Sequence, residues 1–322
     1  MKCVQTCYLL VFAARIANNC TEWRRCCIVQ RDAGLIGTLM AQEKIALITG
    51  SSSGIGLLTA VEFAAHGYRV VATMRDLGRG AKLEETAQKA GVRDQLDVRR
   101  ADITEFDSLP GVVDQVVRDH GRIDVLVNNA GFSVAGFVED MAVEELRHQL
   151  ETNFFGNISM TKAVLPVMRA QKNGHIITVT SVAGLLGQPL LSAYSASKFA
   201  LEGWNESLRI ESHSLGIRVS LVEPGAFDTD IWERNVVIAK GALNENSPNK
   251  ERSRRFTEFV KGSKKQRRDA RAVAKLILRI ANDSNPKLRY LIGPDAKMQV
   301  LFRALTPWRH YERILARMTR ID

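Results

Sequence analysis

The segment IALITGSSSGIG, residues 45–56, joins a short apolar run to a glycine-rich turn. An apolar helical pattern follows from Leu57 to His66, and Gly67 stands where a helix commonly ends. Strand, glycine-rich turn and helix form the arrangement that binds dinucleotides, because the glycines let the backbone approach a pyrophosphate and the helix N-terminus attracts negative charge. The spacing T-G-x-x-x-G-x-G differs from the common G-x-G-x-x-G fingerprint, so the segment alone is also compatible with an ordinary strand-to-helix turn.

Strands and helices then alternate along the chain. Five further apolar runs predict strands, at residues 69–74, 96–101, 124–127, 175–180 and 218–222. A long helix is expected over residues 143–170, with Asn153 inside it. This rhythm predicts an α/β fold, in which one domain forms a Rossmann-like, doubly wound parallel sheet of about seven strands with helices on both faces. Ligands of such sheets bind at the carboxyl ends of the strands, where this chain has its polar and glycine-rich motifs.

Tyr194 and Lys198 are four residues apart in a helical pattern that runs from Ser192 to about Ser212. This spacing puts both side chains on one face of the helix. An ammonium group beside a phenol is expected to lower the pKa of the tyrosine, which would let it exchange a proton with an alcohol or carbonyl near neutral pH. A lone Y-x-x-x-K pair also occurs on ordinary amphipathic helices, so the rest of the chain decides its meaning.

Several motifs appear together in an order that resembles the short-chain dehydrogenases/reductases. They are the glycine-rich turn from Thr49 to Gly56, Asp102, the sequence Asn128-Asn129-Ala130-Gly131, Asn153, Ser181, Tyr194 with Lys198, and Pro224-Gly225. The resemblance is strong over about residues 41–230. Residues 72–76 and the long C-terminal region look like the steroid/retinol dehydrogenase-like branch of that family.

The resemblance implies an NAD(P)-dependent oxidoreductase that interconverts an alcohol and a ketone or aldehyde by hydride transfer. Tyr194 would be the general acid or base, Lys198 would hold the nicotinamide ribose, and Ser181 would bond to the substrate oxygen. Asn153 would keep a proton-relay water next to Lys198. The plainer interpretation is that Asn153 is an amide on a helix surface, and that Asp102 and Asn128 are turn residues.

The resemblance also implies a set of cofactor contacts. Asp102 would accept from the adenine amino group, Ile103 would pack on the ring, and Thr229 would reach the carboxamide. The implied contacts are Thr49, Gly50, Ser51, Ser52, Ser53, Gly54, Ile55, Gly56, Arg75, Asp102, Ile103, Asn128, Asn129, Ala130, Gly131, Tyr194, Lys198, Pro224, Gly225 and Thr229.

NADP(H) is the expected cofactor. NAD enzymes have an acidic residue at the end of the second strand to take the ribose 2′-hydroxyl. Here the second strand ends Ala-Thr-Met-Arg75, and no acid occurs before Asp76. Arg75 could pair with a 2′-phosphate through its fork of donors. Ser53 argues the other way, since many NADP-preferring relatives carry a basic residue at this position, and NAD(H) stays open.

Other function classes fit less well. A 3-oxoacyl-type reductase is the alternative activity, and a non-catalytic regulatory protein that binds a cofactor would be favoured by loss of Tyr194 or Lys198, both of which are present. Residues 250–279 are basic but contain few aromatic side chains, so no nucleic-acid partner is expected. No metal site is expected either, because the cysteines lack a matching histidine or second pair. All five lie in the first 27 residues: Cys3, Cys7, Cys20, Cys26 and Cys27.

Charge is unevenly distributed. The formal net charge is +10, yet residues 40–249 carry −6 and residues 250–322 carry 20 basic and 7 acidic residues. Apolar residues recur at helical spacing around Pro307, with arginines between them, which predicts a basic amphipathic segment at 294–322. Such a segment could lie on the body of the protein, on a second subunit of a homodimer or homotetramer, or on an anionic membrane surface.

The domain plan follows from these patterns. Residues 40–322 are expected to form the catalytic domain, and the loop at about 226–268 to cover a bulky apolar substrate that is steroid-, retinoid- or long-chain-like. Residues 1–39 are interpreted as an extension outside the fold, with Met40 as the natural start; a cleaved leader or weak anchor is the alternative. A chain that begins at Met40 should fold equally well. The expected location is cytoplasmic, with peripheral membrane contact as an option.

Overall fold

A computed structural model describes residues 43–232, 234–262 and 267–322. The extension predicted at residues 1–39, with Met40 as the start, lies outside the described residues. Lys264 and Lys265 of the basic run lie outside them as well. The described part from Lys44 onward forms one unit.

A parallel sheet of seven strands runs through the middle of this unit, in the order β11-β7-β6-β4-β1-β2-β3. All of its neighbouring strands are parallel. In chain order the strands are β1 (Lys44–Ile48), β2 (Tyr68–Met74), β3 (Leu96–Arg100), β4 (Val125–Asn128), β5 (Ser133–Ala135), β6 (Gly174–Val179), β7 (Ile217–Pro224), β8 (Phe227–Asp228), β9 (Val236–Ile238), β10 (Arg268–Asp269) and β11 (Arg289–Ile292). The predicted doubly wound parallel sheet is confirmed, and the order changes direction between β1 and β4.

Helices cover both faces of the sheet. They are α1 (Gly54–Ala64), α2 (Ala81–Lys89), α3 (Leu109–His120), α4 (Val143–Leu150), α5 (Asn157–Gln171), α6 (Ser192–Glu211), α7 (Lys250–Gly262), α8 (Arg271–Ala281), α9 (Pro294–Leu305) and α10 (Trp308–Thr319). Strand β1 shows why the strands are apolar throughout. Ala46 and Ile48 pack into one cluster with α1 and α8, whereas Ile45 and Leu47 pack into a second cluster with α3 and α5.

The long helix predicted at 143–170 is interrupted. Helices α4 and α5 are joined by a π-helical turn, Glu151–Gly156, which contains Asn153. A π turn inserts one residue into the helical ladder and is frequent at functional sites. A Cβ at Gly156 would lie 2.8 Å from Ile103 Cδ1, so the turn packs tightly against the loop that follows β3.

The region that follows β7 contains short strands and a helix of its own. Strand β8 pairs with β10, which brings the two ends of the predicted substrate loop together, and β9 pairs with β5, which attaches the loop to the body. The C-terminal helices α9 and α10 are separated at Thr306 and Pro307, as the apolar spacing indicated. Within the described ranges, none of the helices is long and apolar enough to cross a membrane.

Candidate active site

Three of the predicted catalytic side chains meet beyond the carboxyl end of β6. Ser181 follows that strand, and Tyr194 and Lys198 are carried by α6. The hydroxyl of Tyr194 is hydrogen-bonded to Ser181, whose Oγ also accepts from the Ala183 N–H at 3.1 Å. Both Tyr194 and Lys198 are buried. Two hydroxyl groups are therefore held side by side at a sheet edge.

Lys198 lies under the ring of Tyr194. Its Nζ is 5.6 Å from the centre of that ring and donates to the carbonyl oxygen of Val179 at 2.9 Å. The helical spacing thus brings the two residues together as expected, and the last residue of β6 fixes the ammonium group.

The prediction that the pKa of Tyr194 is lowered is wrong for this arrangement of side chains. Burial raises the pKa of Tyr194 to about 12, and the hydrogen bond from Ser181 only partly opposes this. Lys198 lies against the face of the ring, and burial lowers the pKa of Lys198 itself to about 8. Sequence spacing predicts proximity, but it cannot predict how strongly burial disfavours the charged form of the tyrosine.

Asn153 is connected to the same helix through Ser197. Its Nδ2 donates to Ser197 Oγ at 3.2 Å and to the Phe132 carbonyl oxygen at 3.0 Å, and its Oδ1 accepts from the Phe132 N–H at 3.0 Å. Ser197 in turn donates to the Tyr194 carbonyl oxygen at 2.7 Å. Asn153 is fully buried, so its interpretation as an amide on a helix surface is wrong. These bonds join the π turn, the segment after β4 and helix α6.

The glycine-rich turn forms a cradle that side chains would fill. Gly50 has φ +69°, and a Cβ there would lie 2.7 Å from Ala130 Cα. A Cβ at Gly56 would lie 2.3 Å from Gly50 O. Helix α1 begins at Gly54, and Ser53 makes no side-chain cap bond to it. A helix N-terminus that is uncapped by side chains and lined by glycine fits the pyrophosphate of a dinucleotide.

Three of the predicted contact residues brace this cradle and the end of β4 from behind. Thr49 is fully buried, and its Oγ1 accepts from the N–H groups of Asn129 at 3.0 Å and Ala130 at 3.1 Å. Asn129 Nδ2 donates to the carbonyl oxygens of Thr49 at 3.0 Å and Gly50 at 3.2 Å. Asn128 donates to Thr161 of α5 at 2.7 Å. These side chains hold the turn against the end of β4, which leaves the backbone to face a ligand.

The loop after β3 agrees only partly with the expectation for an adenine site. Asp102 Oδ1 accepts from both the N–H and the hydroxyl of Thr104, and Arg75 Nε lies 4.0 Å from Asp102 Oδ2. Ile103 is 5 % exposed and packs into the apolar cluster beside Gly156. The prediction that its side chain packs on an adenine ring is therefore not supported, because the side chain points into the core.

A basic cavity beside the glycine-rich turn was missed by the sequence reasoning. Its volume is about 260 Å³, and it is lined by Ser52, Ser53, Gly78, Arg79, Ala81, Lys82 and Arg234. Arg79 and Lys82 follow β2, the strand whose end selects the cofactor, and this proximity in sequence was the available signal. Arg234 comes from the segment after β7, so only the fold brings it here. Lys82 Nζ also lies 3.8 Å from Asp230 Oδ2.

The segment after β7 closes over the cradle. Thr229 lies beside Gly54, because a Cβ there would be 3.6 Å from Thr229 Cβ. Gly225 N–H donates to the Ile292 carbonyl oxygen at 2.9 Å, and a Cβ at Gly225 would lie 2.3 Å from Asp295 Oδ2. The predicted residues of β1, β4, β7 and the following loops are thus gathered at one sheet edge. In the described part of the chain, no cluster of histidine, cysteine and acidic side chains could hold a metal ion.

Comparisons with known proteins agree with this arrangement. The model of the short chain dehydrogenase family matches residues 44–236. The uncharacterized oxidoreductase YusZ of Bacillus subtilis is 40 % identical over 274 residues, which cover 85 % of this chain and 97 % of that protein. The 3-ketodihydrosphingosine reductase of Bacteroides thetaiotaomicron is 37 % identical over 83 % of this chain and 93 % of its own length. Human retinol dehydrogenase 8 is 42 % identical over 60 % of this chain and 61 % of its own length.

Solved structures similar to this chain also come from short-chain dehydrogenases/reductases. A short-chain dehydrogenase/reductase from Burkholderia phymatum, in complex with NAD, has a TM-score of 0.70 at 25 % identity, covering 82 % of this chain and 93 % of that one. A metagenomic short-chain oxidoreductase in complex with NADP has a TM-score of 0.60 at 27 % identity, covering 77 % and 96 %. Since the family model spans more than half of the chain and the sheet edge carries the matching residues, this chain belongs to the short-chain dehydrogenase family of alcohol–carbonyl oxidoreductases.

Proposed function

We propose that the protein transfers a hydride between NADP(H) and a bulky apolar alcohol–carbonyl pair, with Tyr194 as the general acid or base. The observation that carries this proposal is the buried contact of Tyr194, Ser181 and Lys198 beside the glycine cradle. A nicotinamide cofactor, when bound, supplies or accepts the hydride. All other steps fall to side chains of this chain.

Ser181 and Tyr194 together face the substrate oxygen in this proposal. Their hydroxyl groups donate hydrogen bonds to that oxygen as negative charge develops on it. Tyr194 then gives up its proton in reduction, or takes one in oxidation. With its pKa raised to about 12, Tyr194 is protonated at neutral pH, which is the form that reduction requires. Lys198 stabilises the tyrosinate that forms, and Asn153 keeps helix α6 in register through Ser197.

The direct test of this role is Tyr194→Phe. The variant keeps the ring and loses only the transferable proton, so turnover should fall by about 10²–10⁴-fold while cofactor affinity changes little. Fluorescence titration of the reduced cofactor measures the affinity. Turnover within a few-fold of the wild type would refute the role of Tyr194.

The basic cavity supports a preference for NADP(H). Arg79, Lys82 and Arg234 line it beside Ser52 and Ser53, next to the cradle for the pyrophosphate. Asp76, the first acid after β2, accepts from the Gly78 N–H at 2.9 Å and so caps the following turn. Guanidinium and ammonium groups at this place suit a 2′-phosphate.

Kinetics with both cofactors test the preference. Arg79→Ala should lower kcat/KM for NADP(H) by about tenfold or more, since hydrogen bonds to charged groups contribute about 1.5–3 kcal/mol, and should leave kcat/KM for NAD(H) nearly unchanged. Arg75→Ala examines the residue chosen from sequence. Equal efficiency with the two cofactors in the wild type, unaffected by either change, would contradict the proposal.

The apolar substrate rests on the relatives and on the covering segment. The relatives include proteins named for retinol and 3-ketodihydrosphingosine, both long apolar compounds. The segment after β7 exposes apolar side chains, among them Val237 and Leu243. A panel of steroid, retinoid, long-chain and 3-oxoacyl ketones separates the leading activity from the 3-oxoacyl alternative. Truncation after Gly293 should reduce activity on apolar ketones with the fold retained; unchanged kinetics would argue against a covering role for the C-terminal helices.

The exposed apolar face of the C-terminal helices bears on assembly and membrane contact. Helices α9 and α10 expose Met298, Leu301, Leu305 and Trp308, so this face does not pack on the body of its own protomer. We propose that it meets a second subunit of a homodimer or homotetramer, and that an anionic membrane surface is the other candidate. Sedimentation analysis and flotation with phosphatidylserine vesicles distinguish the two.

A further inference from the structure

Two buried acidic side chains lie directly behind the Tyr194–Lys198 pair. Glu202 is on α6, four residues after Lys198, and is 5 % exposed; Glu223 is on β7, just before Pro224, and is 1 % exposed. Carboxylates buried this deeply cost free energy unless each is paired or one of them is protonated. The mechanism described above gives neither of them a role.

Among the residues that the structure describes, Arg289 on β11 is the cation that contacts these carboxyl groups directly. Its Nε donates to Glu202 Oε2 at 3.1 Å and lies 3.5 Å from Glu223 Oε1. Its Nη2 donates at 2.7 Å to Oε2 of Glu206, which is half-exposed on α6. The charge of Arg289 is therefore divided among three carboxyl groups, so it cannot neutralise both buried ones.

The remaining oxygens of the two acids indicate a shared proton. Oε1 of Glu202 and Oε1 of Glu223 are both buried, and neither receives a hydrogen bond from any residue that the structure describes. The two carboxyl groups nevertheless lie within hydrogen-bonding reach of each other. A proton bound to one of them would donate to the other and satisfy both. In agreement, burial and the neighbouring Glu202 raise the pKa of Glu223 to about 8, against the opposing effect of Arg289.

The cluster reaches Lys198 through α6 and the turn after β6. A Cβ at Gly184 would lie 3.1 Å from Glu202 Cγ and 3.2 Å from the Lys198 carbonyl oxygen, so the turn that carries Ser181 packs on both residues. Burial lowers the pKa of Lys198 to about 8, and the charge of Glu202 opposes this. On the far side of Pro224, Asp295 accepts from the Ala226 N–H at 2.7 Å.

We propose that Glu202 and Glu223 share one proton and act as positioning residues, which keep a single negative charge one helical turn from Lys198. This charge holds Lys198 as an ammonium ion under the active site. The inference rests on the proposed roles of Tyr194 and Lys198 in catalysis. It adds a reason why the ammonium group survives in a buried site at the pH of turnover.

The pH profile of kcat/KM tests the link to Lys198. Glu202→Gln removes the carboxyl group one helical turn from Lys198 and leaves the remaining charge to Glu223 on β7. It should shift the loss of activity at alkaline pH downward by about one unit, since an opposite charge nearby moves a pKa by about that much or more. Activity at pH 8 should then fall about fivefold, since the pKa of Lys198 is about 8, with little change at pH 6. Glu206→Gln is the matched control, because it removes a partner of Arg289 that is exposed and should leave the profile in place.

Two results of this experiment would overturn the link. One is a profile of Glu202→Gln that coincides with those of the wild type and Glu206→Gln. The other is an equal drop at every pH, which would indicate a structural defect alone. Glu202→Asp keeps the charge and should retain the wild-type profile. Affinity for reduced cofactor, measured by fluorescence at pH 6 and 8, should weaken only at pH 8 in Glu202→Gln, and this readout does not depend on turnover.

Glu223→Gln tests the shared proton without any activity measurement. A carboxyl group that titrates near 4.5 when unfolded and near 8 when folded stabilises the fold fully below pH 4.5, and this contribution is lost as the pH rises through 8. The wild type should therefore lose stability relative to Glu223→Gln between pH 5 and 9 in urea unfolding. The infrared band of a protonated carboxyl group should be present at pH 7 in the wild type and absent in the variant.

An unchanged pH dependence, or no such infrared band, would overturn the shared proton. If instead Tyr194→Phe kept its activity while the band and the stability difference were observed, the proposed catalytic role would fail and the proton pair would stand. The two failures are thus distinguishable.

Discussion

We expect His175→Gln to remove most of the loss of folding stability at acidic pH that the buried imidazole of His175 causes. His175 lies on β6 with no exposed surface, and its Nε2 is 3.0 Å from Ser220 Oγ. Ser220 Oγ itself donates to the Lys287 carbonyl oxygen at 2.9 Å, so the imidazole is the donor to Ser220. The amide of glutamine can make the same donation and cannot take up a proton.

The magnitude follows from the pKa of the imidazole. Burial, followed by the charges of Arg218 and Arg209, lowers the pKa of His175 from 6.5 to about 3. Between these values the unfolded chain binds a proton that the folded chain does not. The stabilising contribution of the neutral ring is thus present above pH 6.5 and is lost as the pH falls towards 3. Each pH unit corresponds to about 1.4 kcal/mol, so a change from pH 6.5 to 4.5 costs on the order of 2–3 kcal/mol.

Urea unfolding at pH 7.5 and 4.5 measures this contribution. At pH 7.5 the variant should be less stable than the wild type by on the order of 1 kcal/mol, because the amide packs less well in the space of the ring. At pH 4.5 the order should reverse. His66→Gln is the control, since His66 has a half-exposed side chain at the end of α1. The same pH dependence in the wild type and His175→Gln would refute the reasoning.

Three further predictions concern the site. Lys198→Met should raise the cofactor Kd and lower kcat together, since Lys198 is proposed to serve both; a change in only one of the two would contradict this. Gly56→Ala places a Cβ 2.3 Å from Gly50 O, so it should cost on the order of 1–3 kcal/mol of stability and weaken nucleotide binding in calorimetry. Unchanged binding would show that the glycine-rich turn does not hold the pyrophosphate. Lys82→Ala removes the ion pair with Asp230 and should raise KM for NADP(H) more than KM for NAD(H). Equal increases would indicate that Lys82 only holds the segment after β7 in place and does not bind the 2′-phosphate.

The sequence is sufficient for the features that depend on local spacing. Six apolar runs predicted six strands whose ends differ from the structure by at most two residues. The positive φ at Gly50 and the contact of Tyr194 with Lys198 also follow from short-range patterns. Such features need only the periodicity of helices and strands and the freedom of glycine.

The sequence alone could not predict the features that depend on contacts between distant segments of the chain. Arg234 joins Arg79 only because the chain returns to the glycine-rich turn after β7. Glu202 and Glu223 are ordinary residues of a helix and a strand until the fold buries them together. The burial of Ile103 and the raised pKa of Tyr194 belong to the same class, since both depend on how completely neighbouring elements exclude water.

The pairing of β8 with β10 has a consequence for protein engineering. Phe227 and Asp228 lie beside Arg268 and Asp269, so the segment between them leaves the body and returns to it at the same place. The entropy of closing such a segment depends only weakly on its length, at about 0.6 kcal/mol for each doubling. The stretch that begins after β8 also pairs with β5 through β9 and brings Thr229 and Arg234 to the glycine-rich turn. A segment transplanted from a relative to change the substrate range therefore has to keep the β9 pairing and these two residues if cofactor binding is to stay unchanged.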